Sequence, residues 1–116
     1  MIISYLKYRR KAQGKYHLHS PLVFSLYEKV LEPCCRDASH ASIEDKLTDF
    51  INDNPLIFND EDAVTVVRDI HRDRQNEKEW EALISRDNVR LSIDCWKFGI
   101  IFVMDRLKKE HYILKV

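Results

Sequence analysis

The chain has 116 residues, 45% of them hydrophobic and 33% charged, which is enough for one domain with a modest core and excludes a long disordered chain. Its formal net charge of zero excludes a bulk attraction to nucleic acid or to an anionic membrane. No apolar run approaches bilayer length, and Met1-Ile2-Ile3 is too short for a signal-peptide core, so the expectation is a soluble, cytoplasmic protein with no membrane partner.

Residues 1–36 carry seven Lys/Arg against two Asp/Glu, and residues 37–62 carry one Lys against eight Asp/Glu. Such segments are ordinarily solvated faces; alternatively, the two meet within one chain or across a dimer. The odd set Cys34, Cys35 and Cys95 suggests no disulfide framework, and the lack of a C-x-x-C pair argues against zinc.

In chain order, residues 2–13 mix Ile3, Tyr5, Leu6 and Tyr8 with Arg9, Arg10 and Lys11, as in a short amphipathic helix that Gly14 can end. Ser20-Pro21 reads as a helix start, with the serine as cap and proline at the first helical position. Leu22, Val23, Leu26, Val30 and Leu31 form its buried stripe, and Pro33 is expected to stop it. Residues 34–42 read as a polar joint. Ser42 with Asp45 resembles a capping box for a helix whose stripe is Ile43, Leu47, Phe50 and Ile51, ended by Asn54-Pro55.

The pattern then changes to strands. The run Ala63 to Val67 suits a strand buried on both faces of a parallel sheet. Asn76-x-x-Glu79 is a capping-box candidate for a helix with Trp80, Leu83 and Ile84 inside. Val89, Leu91 and Ile93 alternate with Arg90, Ser92 and Asp94, predicting a half-buried strand. Gly99 to Met104 is a further strand, residues 105–110 a turn, and Tyr112 to Val116 a last strand placed to form a hairpin with the one before.

Three constellations could carry chemistry. His17-Leu18-His19 could point two imidazoles from a loop, although a metal would need a further ligand; the plainer role for His19 is packing at a helix entrance. Arg68-Asp69-Ile70-His71 follows a strand, where open α/β sheets bind ligands. There Asp69 could bind a cation or hydroxyl and His71 act as acid or base, or Asp69 could pair with Arg68 or Arg72 on the surface. Asp94-Cys95-Trp96-Lys97 also ends a strand; Lys97 could lower the Cys95 pKa, but a small buried cysteine is the simpler reading. There is no G-x-G-x-x-G, and neither Gly14 nor Gly99 stands between a strand and a helix in the order a dinucleotide-type loop needs.

Two stretches resemble a class I methyltransferase-like family of Bacteroidetes-type bacteria. Tyr5 to Arg9 and His19-Ser20-Pro21-Leu22-Val23-Phe24 are similar to its opening helices, with Leu22 where the family pattern has Phe. Val66 to His71, Trp80-Glu81, Val89 through Phe102 and His111 to Val116 resemble its closing half. The resemblance implies a single domain over 1–116, with N-terminal helices over 1–33 and a partial Rossmann-like α/β unit over 42–116. That unit has about four strands in a mixed sheet with a C-terminal antiparallel hairpin. It further implies an internal deletion at residues 34–42 that removed the glycine-rich S-adenosylmethionine loop, so no cofactor is expected unless a partner subunit completes the fold. Arg68 stands where the family has the first of two acids, and a fixed guanidinium repels a cation there, so no metal is expected.

The resulting expectation is a non-catalytic methyltransferase-like remnant acting through a homodimer or partner protein. Asp69 and His71 would be catalytic if activity remains, and His19, Arg68 and Asp94 are candidate ligand or interaction residues. The alternative is a methyltransferase completed by a partner subunit. A weaker alternative is nucleic-acid or anionic-surface binding through Lys7, Arg9, Arg10, Lys11 and Lys15, interleaved with Tyr5 and Tyr8.

Overall fold

The computed structural model describes residues 20–36, 43–59 and 61–114, which fall into two compact units, one within residues 20–59 and one spanning 61–114. The predicted helix over 2–13, the Ser42 cap, His17 and His19, and the basic N-terminal residues lie outside the described residues.

In the first unit, Ser20 caps α1 (Pro21–Leu26) as its sequence predicts: its side chain accepts from the Val23 N–H at 3.3 Å, and Pro21 takes a position that needs no donor. Pro33 does not stop the helix. A π-helical turn (Tyr27–Leu31) leads directly into α2 (Glu32–Arg36). The Glu32 N–H reaches back to the Tyr27 carbonyl, five residues earlier. The widened turn lets a proline follow without the steric conflict of an unbroken α-helix. Cys34 is therefore a buried helical residue rather than part of a polar joint. In α3 (Ile43–Asn52), Ile43, Leu47 and Phe50 are buried, and the helix packs against the π-turn. Asn54 ends it by donating its side-chain amide to the Phe50 carbonyl at 2.7 Å, and Phe58 packs edge-on against Phe50.

The second unit is α/β. Its strands β1 (Ala63–Arg68), β2 (Leu91–Asp94), β3 (Phe98–Val103) and β4 (Glu110–Ile113) form an open mixed sheet in the order β1-β3-β2-β4. α4 (Arg74–Ile84) lies between β1 and β2 in the chain. β3 runs antiparallel to both its neighbours, and β4 pairs parallel with β2. β1, β2 and β4 therefore share one direction, and their carboxyl ends lie at one end of the sheet.

Several sequence expectations change here. β1 is an outer strand, half-exposed and antiparallel to its neighbour, rather than a strand buried on both sides. Its β-branched run reflects strand propensity, and its place at the margin halves its cover. β2 is buried along its whole length, Ser92 and Asp94 included, because it lies inside the sheet and its polar residues find partners there. The hairpin joins β2 to β3 through residues 95–97; β4 pairs with β2 instead of β3. The α4 N-cap is Asp73, not Asn76: the Asp73 side chain accepts from the Asn76 N–H at 2.8 Å.

α4 packs its apolar side over the sheet. Trp80 sits with Ile70, Val89 and Ile101, flanked by Val67, Leu83, Ile84 and Val103. Gly99 makes this possible, since a Cβ there would stand 2.3 Å from the Trp80 ring. Lys109 holds the far end of α4 by donating to the carbonyls of Ile84, Arg86 and Val89 at 3.1, 2.8 and 2.9 Å. Among the described residues, no helix is long and apolar enough to cross a membrane.

Candidate functional site

The carboxyl ends of β1 and β2 each lead into a backbone turn with an unusual residue. Asp69, directly after β1, has φ 58°, and Trp96, two residues after β2, has φ 72°. Aspartate tolerates the left-handed region; a bulky indole enters it at a cost of about 1–2 kcal/mol. The two turns are bound together. The Asp69 N–H donates to the Lys97 carbonyl at 2.9 Å, which extends the β1–β3 register by one residue. The Asp69 carbonyl accepts from Asn76 Nδ2 at 2.9 Å and from the Arg72 N–H at 3.1 Å.

His71 closes this junction. Its Nε2 lies 2.6 Å from Asp94 Oδ2, and its ring stacks on Trp96 with centroids 4.5 Å apart and planes 14° from parallel. The second Asp94 oxygen accepts the Trp96 N–H at 2.9 Å. Glu77, in the first turn of α4, stands 3.8 Å from His71 Nδ1. The Asp94 side chain is 5% exposed and that of His71 16%, so the pair is largely shielded from water. Burial by itself lowers the His71 pKa; the hydrogen bond and charge of Asp94, with a contribution from Glu77, outweigh it, and the net shift is upward.

A second histidine lies on the same face of the sheet. His111 of β4 is opposite Ser92, and its Nδ1 is 2.7 Å from the Ser92 hydroxyl, with Trp80 nearby at 6.4 Å between ring centroids. Desolvation lowers its pKa, partly offset by the Asp94 charge and the Ser92 hydrogen bond, even though the residue as a whole keeps exposed surface. Asp94 and Ser92, alternate residues of one strand, thus serve one imidazole each.

Of the residues singled out by sequence, the structure joins His71 with Asp94. Asp69 enters through its main chain, while its exposed side chain carries no ion pair to Arg68 or Arg72; Arg72 stands 3.7 Å from Asp73 instead. Arg68 is exposed at the end of β1 and lines a groove beside α4. Cys95 is buried, and neither it nor Cys34 is in a disulfide. Sequence reasoning missed Glu77, Ser92, His111 and the Trp96 stack. The available signal was Ser92 and Asp94 at i and i+2 in an otherwise apolar run, which aims two polar side chains at one face. Among the described residues, no group of three or more His, Cys, Asp or Glu side chains is arranged to hold a metal.

Chemically, a shielded imidazole on a carboxylate can hold or pass a proton. Here both Asp94 oxygens and one face of the His71 ring are already engaged within the junction, so the arrangement works first as a clasp between the β1–α4 and β2–β3 turns. No protein-family model matches the chain, and no characterised protein or solved structure shows significant similarity to it.

Proposed function

We propose that this chain is a non-catalytic, methyltransferase-like remnant, a partial Rossmann-like unit that acts through protein association. The observation that carries this reading is the position of β1. A strand that a full Rossmann-like sheet would flank on both sides here has a strand partner on one side alone among the described residues, and an open edge is a template for another chain.

S-adenosylmethionine does not fit the described residues. A glycine-rich turn lets backbone approach a cofactor closely. The one glycine among the described residues, Gly99, is the second residue of β3 and lies beneath Trp80, and the space a Cβ would take is filled by that ring. The carboxyl ends of β1 and β2, where such folds hold ligands, are tied by the His71–Asp94 clasp.

The second reading, a methyltransferase completed by a partner, draws on the same pair: His71 and Asp94 stand where an acid or base would be useful. Calorimetric titration with S-adenosylmethionine and its demethylated product decides between the two. The association reading expects no heat from the chain alone or in its assembled form. Saturable heat that His71→Asn abolishes would overturn it.

A further inference from the structure

The edge and the helix beside it carry enough detail to name an occupant. In β1 the Asp69–Lys97 bond marks the residues whose main chain faces β3. Antiparallel ladders alternate, so Thr65 and Val67 also face β3, while the N–H and C=O groups of Val64 and Val66 point to the open side. Beside this edge runs a groove of about 410 Å³ between β1 and α4. Its lining includes Val67, Ile70, Glu79, Ala82, Leu83 and Arg86. Glu79, Ala82 and Leu83 lie on one flank of α4 at i, i+3 and i+4, and Arg86, two residues past the helix end at Ile84, continues the lining of the groove. Ala82 leaves a low point along this lining, with an acid one turn before it and a base just beyond the helix end.

The geometry points to a second copy of this chain as the partner, docked across a two-fold axis that passes beside Thr65. This rests on the association reading above and gives it a partner and a register. With the axis at Thr65, Val64 of each protomer opposes Val66 of the other, and the two valine pairs exchange about four main-chain hydrogen bonds. Centring on Val64 instead would set Val66 against Asp62, which lies outside β1 and whose side-chain carboxylate Arg106 holds at 2.6 Å. The same axis brings the two α4 helices together antiparallel over the joined sheet. Glu79 on the helix and Arg86 just past its end stand three residues to either side of Ala82-Leu83 in the chain, so an antiparallel crossing sets Glu79 of each copy against Arg86 of the other, with Leu83 filling the groove at the crossing. Self-complementarity of this kind is what a two-fold contact demands. A partner of different sequence would need no such symmetry in the charges.

The test is a cysteine placed on the axis. In this register Thr65 faces Thr65 across a non-hydrogen-bonded pair, with Cα atoms about 4.5 Å apart, within disulfide reach. Ala63, two residues away, stands about 13 Å from its own copy. Under mild oxidation, Thr65→Cys is expected to run mainly as a covalent dimer on a non-reducing gel, while Ala63→Cys and the unsubstituted chain do not. Glu79→Arg and Arg86→Glu are each expected to weaken dimerisation about tenfold, and the double variant to restore it. A dimer by light scattering with no Thr65→Cys crosslink would overturn the register while leaving association intact. A monomer throughout would overturn both.

Discussion

The carboxyl end of the sheet and the outer edge of β1 treat their polar groups in opposite ways. At the carboxyl end, His71, Asp94, Trp96 and the Asp69 main chain spend their hydrogen bonds on one another. Along the edge, the main-chain groups of Val64 and Val66 face away from the sheet with no strand beside them among the described residues. The residue types usually read as chemical thus lock two turns, while under the proposed association two valines present the main-chain groups that would pair. The proposed association therefore draws on the main chain of the strand edge and not on reactive side chains.

Breaking the clasp should have the largest effect. Asp94→Ala leaves a shielded imidazole without its carboxylate and Trp96 in a left-handed turn without its acceptor. A loss of about 3 kcal/mol in urea unfolding is expected. Little change would mean that the turns hold without it. Gly99→Ala should follow, because its Cβ would displace the Trp80 ring from the sheet. Overpacking of this kind costs about 1–3 kcal/mol, and a shift of the denaturation midpoint at unchanged slope would measure it.

The pH dependence is smaller and has two limbs. The His71 pKa is raised in the fold, so its contribution is complete below the unfolded value near 6.5 and is lost as pH rises through the folded value. The His111 pKa is lowered, so its contribution is present above that unfolded value and is lost as pH falls through the folded one. Denaturation midpoints across pH should therefore decline more gently on the alkaline side in His71→Asn, and more gently on the acid side in His111→Asn. Parallel profiles in all three proteins would contradict the assignment.

Much of the architecture was legible in the sequence because its signals are local. Ser20-Pro21 starts a helix, Asn54 ends one, and the spacing of Trp80, Leu83 and Ile84 marks the inner side of α4. What was not legible depends on pairing. Nothing local in Ala63 to Val67 distinguishes a margin strand from a central one, and nothing in Tyr112-Ile113 selects β2 over β3 as neighbour. Pro33 was misleading because the π-turn that accommodates it belongs to residues before it. At the candidate site, His71 and Asp94 were each visible as polar residues after a strand. Their union across an intervening β3 is a property of strand order.

The central claim is that the edge of β1 is the working surface, and Val66→Pro addresses it most directly. The Val66 N–H points away from β3, so proline removes a donor from the open side and none from the sheet. The measurement is light scattering on the parent chain and this variant across the micromolar range, with circular dichroism to show that both are folded. The account predicts a dimer for the parent and a folded monomer for Val66→Pro. A parent chain that stays monomeric, or a Val66→Pro variant that dimerises as well as the parent, would contradict it.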